Sequence, residues 1–361
     1  MKIRELLSQK LPLLLGGSII LLCLLVVMKL VLSPKSETKI EKIEQTQIIE
    51  TTIEETTTDL IDYGIYDQEL MKANKIDKMN FDEYTSIDQV IQSVIEDYGI
   101  YTDNISISYY DFINGEEYQL NSPVYRVAAS TVKIPYSVIF FDLLDQGAVA
   151  LNTQIPYMDA YYAEGNGNVT NGTKQASYDL SYVLYEMLVN SDNTSAVMVY
   201  VYYEQYFGDM ETSMAASAGM SDMPGEFYYQ NYLSADFLMN DLKKMATESK
   251  YASLVKTMME PKNPELFISY VKKGMANKFG RFEATINDAG IYYENDQPQY
   301  ALVCMTEKTF NDAFLEVLNL RVNEWHRYQQ TQQYKDKHSS FETTKDESAI
   351  DSISETTVSP T

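Results

Sequence analysis

Histidine is nearly absent from this 361-residue chain: His326 and His338, both near the C-terminus, are the only two. A Ser-His-Asp or Cys-His site would have to be built on one of them. A tetrahedral zinc site of the usual His/Cys kind lacks ligands, so no metal or other cofactor is expected. Cysteine is equally scarce. Cys23 lies in an apolar N-terminal run and Cys304 in a predicted strand, which excludes a disulfide framework. Cys304 reads as a small core residue rather than a nucleophile. Basic charge is also short, with 28 Lys and Arg against 52 Asp and Glu and a net charge of −24. A basic face able to displace counterions from phosphates is therefore lacking, and nucleic acid is not an expected partner. Docking of the folded domain on an anionic membrane surface is disfavoured for the same reason. Acyl-transfer chemistry in such a chain needs a base other than histidine, and lysine is the obvious one.

Hydrophobic residues make up 45% of the chain, enough for a real core. Residues 1–10 carry Lys2, Arg4 and Lys10 and read as a short cytoplasmic N-terminus. Residues 11–32 read as a transmembrane anchor: Leu11 to Met28 is uncharged and almost wholly apolar. A cleaved signal peptide would need a small-residue site after the apolar core, and no alanine occurs before Ala73. Residues 33–80, with the run Glu50-Thr51-Thr52-Ile53-Glu54-Glu55-Thr56-Thr57-Thr58, read as an acidic low-complexity spacer. The folded domain is expected over 81–328, followed by a disordered tail over 329–361 rich in Gln, Ser, Thr and charge.

Within 81–328 the first element is a helix with Ile87, Val90, Ile91, Val94 and Ile95 on one face, capped by Thr85 and stopped at Gly99. Ile105, Ile107 and Tyr109 alternate as a strand, and Asn114-Gly115 signals a hairpin. The segment from Val132 to Leu144 is apolar on nearly every side, as a central buried helix is, and ends near Gly147. Further helices are expected over 178–190, 234–246, 252–259 and around Phe314 to Val322, with strands around 282–293 and 299–307. Strands at both ends around a helical middle predict a mixed α/β domain, with one sheet built from both ends and a helical insertion.

Three short stretches could carry chemistry. Ser130-Thr131-Val132-Lys133 is an S-x-x-K, which on a helix sets the lysine beside the serine hydroxyl. If Ser130 opens the helix, free backbone N–H groups and the positive helix end favour an oxyanion. Burial would lower the Lys133 pKa and make it a usable base. An exposed lysine is the bland alternative, but it fits poorly on a helix apolar all round. Ser191-Asp192-Asn193 directly follows a helix, where capping alone could explain it. Lys278-Phe279-Gly280 stands just before a predicted strand, and its glycine permits close backbone approach.

Together, in this order and about 60 and then about 85 residues apart, the three resemble the S-x-x-K, S-D-N and K-T-G set of class A β-lactamases and penicillin-binding proteins. The stretches Tyr125–Asn152, Tyr178–Val197 and Gln299–Glu307 are also similar to that family, and the resemblance covers about residues 85 to 325. It implies an antiparallel sheet flanked by helices, beside an all-helical half, with the site in the cleft between them. It implies Ser130 as the acylated nucleophile, Lys133 as its base and Ser191 as a proton relay to the leaving nitrogen. Lys278 would lower the Ser191 pKa and attract an anionic substrate, and Asn193 would bind the substrate's amide. Gly280 would permit close approach, and the N–H groups of Ser130 and Arg281 would form the oxyanion hole. A β-lactam or a peptidoglycan-type small substrate is the implied partner, with the membrane reached through the N-terminal helix; nothing in the sequence bears on oligomeric state.

Two departures stand out. Phe279 replaces the usual Thr or Ser and cannot donate a hydrogen bond to a substrate carboxylate, a task Arg281 could take over. The segment Met220–Leu233 is short and lacks the E-x-x-L-N pattern that supplies the deacylating glutamate, Glu226 being its only one. The expected function is thus a membrane-anchored, extracellular serine hydrolase. The alternatives are a weakened penicillin-binding-like protein that recognises wall fragments without turnover, and an adhesive ectodomain with chance motifs.

Overall fold

The computed structural model describes residues 61–353, apart from residues 230, 261, 263, 264 and 310. The anchor predicted over 11–32 and most of the spacer lie outside the described residues. Among the described residues no helix is long and apolar enough to cross a membrane.

The folded part starts earlier than residue 81. Helix α1 (Gln68–Ala73) and the turn before it bury Tyr63, Tyr66 and Met71, and the Tyr66 hydroxyl donates to Asn323 Oδ1 at 2.8 Å. These residues, assigned to the spacer from composition, carry the apolar and aromatic area that holds them on the domain. Helix α2 (Ile87–Asp97) follows with the expected buried stripe. Its N-cap is Ser86, and Thr85 donates from N and Oγ1 to Gln89 Oε1. Gly99 ends it at φ +59°.

Strands β1 (Ile105–Asp111) and β2 (Glu117–Leu120) form the predicted hairpin. A two-residue strand β3 (Arg126–Val127) leads to helix α3 (Lys133–Asp145). The insertion then runs through β4 (Gln154–Pro156), β5 (Ser177–Asp179), α4 (Leu180–Val189), α5 (Asn193–Tyr206), α6 (Met210–Ser217), β6 (Tyr232–Leu233), α7 (Ala235–Thr247) and α8 (Ala252–Met258). Strands β7 (Met275–Phe282), β8 (Thr285–Glu294) and β9 (Gln297–Thr306) close the sheet, and α9 (Asp312–Ile353) ends the described chain.

The sheet is antiparallel throughout, in the order β2-β1-β9-β8-β7, so both ends of the domain do supply one sheet. Alternation along each strand sorts its side chains between two cores. In β9, Ala301, Val303 and Met305 face the inserted helices, while Tyr300, Leu302 and Cys304 face α2 and α9. Cys304 is fully buried and its thiol is pushed up by burial, as befits a core residue. His326, on α9, is locked against Asp111 at 2.7 Å and Gln299 at 3.3 Å within the α2/α9 core.

Two boundaries differ from expectation. Lys278-Phe279-Gly280 lies inside β7 rather than ahead of a strand, because the pairing with β8 extends back to Met275. The tail predicted to be disordered from 329 is instead the continuation of α9 to Ile353. No Gly or Pro occurs between Asp312 and Ile353, so nothing in the backbone chemistry stops a helix begun on the core.

Candidate active site

The segment joining β3 to α3 carries Ser130. It is a 3-10 turn over Ala129–Val132, and α3 proper starts only at Lys133, not at Ser130. In a 3-10 turn side chains three apart eclipse one another, which brings Lys133 over Ser130. Ala129 adopts φ +49°, a costly conformation for a residue with a Cβ. The surroundings hold it there. Asn287 Nδ2, from β8, donates to Val127 O at 2.8 Å and Ala128 O at 3.0 Å. Ala128 N donates to Asn231 O at 2.8 Å, and Thr131 Oγ1 donates to Ala128 O at 2.7 Å.

Lys133 is 2% exposed. Its Nζ lies 3.0 Å from Ser130 Oγ, 2.7 Å from Ser191 O, 2.8 Å from Asn193 Oδ1 and 3.3 Å from Ser191 Oγ. Burial holds its pKa down to about 7, against a smaller opposing pull from Asp192. A neutral amine has two hydrogens and one lone pair. The Ser191 carbonyl and the Asn193 amide oxygen can only accept, so they take the two hydrogens. The lone pair is then left for the serine hydroxyls, and Ser130 is the nearer. The Asn193 amide orientation is set by its Nδ2, which donates to Glu164 O at 2.7 Å.

Asp192 holds this corner together. It is fully buried and caps α5 by accepting from Ser195 N at 2.7 Å, while also accepting from Thr170 N at 2.8 Å and Thr170 Oγ1 at 3.0 Å. The loop carrying Thr170 passes so close that a Cβ on Gly167 (φ +93°) would sit 2.2 Å from the Asp192 carboxylate. Ser191, held at φ +55°, therefore owes its position to a carboxylate of structural function. Asp192→Ala is expected to lower unfolding stability by roughly 3 kcal/mol, since it strands two buried backbone N–H groups, those of Thr170 and Ser195, readable as a lower denaturation midpoint. Asp192→Asn keeps the shape but removes the charge that raises the Lys133 pKa. Its acylation–pH midpoint is expected to fall below that of the parent chain.

On β7, Gly280 is where the strand meets the Ser130 turn. A Cβ there would lie 2.5 Å from Ser130 N and 2.9 Å from Thr131 N. Arg281, next in the chain, lines the same cavity as Ser130, so the two expected oxyanion donors sit on abutting backbone segments. Lys278 is buried and its Nζ donates to Phe279 O at 2.7 Å; among the described residues no hydrogen bond joins it to Ser191. Its pKa is driven well below the usual lysine range, first by burial and then by the charges of Lys133 and Lys262. Phe279 packs with the α2/α9 core, on the side of the sheet away from Ala276 and the inserted helices. The Arg281 guanidinium is already held by Asp312 at 2.7 and 2.8 Å and Glu265 at 3.1 Å. It is not free to replace a missing carboxylate donor.

A cavity of about 680 Å³ opens above Ser130. Ser130, Lys133, Asn193 and Arg281 line it, whereas Ser191, Lys278, Phe279 and Gly280 do not. Sequence reasoning missed Asn231, whose buried Oδ1 has no hydrogen-bond partner among the described residues, and the wall formed by Tyr136, Val197, Tyr200 and Val201. The i, i+3, i+7 spacing of Asn193, Ala196 and Tyr200 was the available signal for that wall.

Among the described residues no histidine lines this cavity, and Lys133 does. Among solved structures, a β-lactamase from Sphaerobacter thermophilus matches with 18% identity and a TM-score of 0.56, over 69% of this chain and 98% of its own. PBP-A matches with 19% identity and a TM-score of 0.55 over the same shares. A β-lactamase from Xanthomonas campestris pv. campestris matches with 15% identity and a TM-score of 0.56, over 66% and 97%. At such identities the likeness establishes the fold. No curated protein sequence matches the chain. The model of the β-lactamase enzyme family matches residues 86–318, from the threshold of α2 into α9. That span is more than half the chain and contains every residue of the site, so the protein belongs to the β-lactamase enzyme family.

Proposed function

We propose that this protein is a serine acyl-enzyme hydrolase acting on a β-lactam or a related cell-wall acyl or peptide substrate. The observation that carries the proposal is the Lys133 amine, 3.0 Å from Ser130 Oγ, with both its hydrogens committed elsewhere and its pKa near neutrality. In acylation the Ser130 proton passes to Lys133 Nζ as the Oγ–C bond forms, and negative charge gathers on the carbonyl oxygen near the Ser130 and Arg281 N–H groups. Collapse breaks the C–N bond. The leaving nitrogen takes a proton that Lys133 can return through Ser191, since it touches both hydroxyls. A non-turning wall-binding protein has no use for that arrangement, which favours the enzyme.

Deacylation is the slow half. Among the described residues no carboxylate lines the cavity, and Glu226 is exposed. Water therefore lacks a built-in carboxylate base, and the acyl-enzyme is expected to persist. One neighbour in fold is a mutant of PBP-A in an acyl-enzyme complex with penicillin G, which supports penicillin as a probe. The apolar run Leu11–Met28 and the cations before it support an anchored enzyme with its domain outside the cell.

Time-resolved intact mass measurement after adding penicillin G tests this reading. The expected result is a long-lived adduct on Ser130. Its rate of formation is expected to rise with pH through about 7 and then level off, because the neutral form of Lys133 is the base and dominates above its pKa. A rate falling across that interval, or an adduct on another residue, would remove Lys133 or Ser130 from the mechanism.

A further inference from the structure

The cavity above Ser130 has two unlike ends. Ser130, Lys133, Asn193 and Asn231 gather its polar groups at the nucleophile. From there it runs between two helices, over Tyr136 of α3 and over Ala196, Val197, Tyr200 and Val201 of α5. Helix α5 is apolar on two sides. Met198, Val199 and Tyr203 are buried in the core, yet Val197, Tyr200 and Val201, all only half-buried, stand on the cavity side where a surface helix would carry polar residues. The Tyr136 and Tyr200 rings meet at 5.9 Å. The Tyr200 hydroxyl is turned away to Glu211, donating at 3.0 Å, so the ring presents its apolar body to the groove. At about 1.5 Å per residue, the distance along α5 from Asn193 to Tyr200 is roughly 11 Å.

Resting on the acyl-enzyme reading above, we infer that this groove holds the acyl group of the substrate, and that the group is an uncharged, elongated alkyl or aryl chain. Its carbonyl end lies at Ser130 and its tail along Val197, Val201 and the Tyr136–Tyr200 pair. The Glu211 carboxylate beyond Tyr200 opposes a tail that carries negative charge. The groove thus selects by apolar area, at about fourfold per methylene removed from water.

The test uses the full-length chain and a series of p-nitrophenyl esters from acetate through butyrate and hexanoate to octanoate. Acylation of Ser130 is followed by intact mass, with each rate divided by that for hydroxide attack on the same ester. The octanoyl-to-acetyl ratio is expected to reach at least tenfold. Val201→Asp, which puts a charge in the apolar end, is expected to lower that ratio at least tenfold, and Val201→Leu to keep it. A flat series, or a ratio unmoved by Val201→Asp, overturns the groove assignment while leaving Ser130 as nucleophile. Failure of every ester and of penicillin to label Ser130 overturns the acyl-enzyme reading itself, and the groove assignment with it.

Discussion

Ser130→Ala is expected to abolish covalent labelling by penicillin, and Lys133→Ala to slow it by about 10² to 10⁴-fold, the usual contribution of a positioned general base. The two differ in kind. Without the Ser130 hydroxyl no Oγ–C bond can form, so the loss is complete. Without Lys133 the hydroxyl remains in the cavity, but its proton must go to water. Lys133→Arg separates charge from basicity: guanidinium stays protonated throughout the working pH range. It is therefore expected to restore little labelling although it restores the positive charge. Both alanine variants are expected to fold. Ser130 is only half-buried, and removing Lys133 relieves the burial of an amine that already resists protonation. Far-ultraviolet circular dichroism and a thermal melt check that point. Residual labelling of Ser130→Ala at the parent rate would place the nucleophile elsewhere.

Gly280→Ala is expected to cut the acylation rate by about 10² to 10³-fold, the range seen when one oxyanion donor is lost. Its methyl group would arrive 2.5 Å from Ser130 N, 2.9 Å from Thr131 N and 3.0 Å from Ala128 O, all of them backbone atoms with no rotamer to turn aside. Either β7 or the nucleophile turn must shift, and in both cases the N–H groups of Ser130 and Arg281 part company. The Ser130 turn is pinned by Asn287 and Asn231, so relief by its movement also strains Ala129, already at φ +49°. A stability loss of about 1 to 3 kcal/mol is expected from the overpacking alone. Measuring acylation under conditions where the variant is fully folded separates the two effects. An acylation rate within a factor of a few of the parent would show that the β7 backbone does not serve the oxyanion.

Much of this was legible in the residues themselves. The stripe of Ile87, Val90, Ile91, Val94 and Ile95, the Asn114-Gly115 hairpin and the all-apolar helix after Ser130 are local patterns, set by periods of 3.6 and 2 and by turn chemistry. Three separated motifs in a fixed order resemble the set of class A β-lactamases and penicillin-binding proteins, and that resemblance singled out Ser130 and Lys133. Scarcity of histidine removed the commonest rival base. The packing of His326 against Asp111 and Gln299, in the core shared by α2 and α9, agrees with that exclusion.

Tertiary structure decided what depends on partners distant in the chain. Composition placed residues 61–80 in a spacer, but Tyr66 finds Asn323 only because α9 packs beside it. Phe279 looked like a spoiled site residue; alternation along β7 turns it toward the α2/α9 core instead. Arg281 looked available until the fold set Asp312 and Glu265 beside it. The Lys133 pKa of about 7 follows from burial, which no spacing rule measures. The apolar groove along α5 exists because α3 lies opposite, with Tyr136 meeting Tyr200. Sequence by itself determined which groups could do chemistry, since side-chain identity is local; the fold decided which of them are free, neutral and aimed at one point, since burial and partnership are properties of the whole chain.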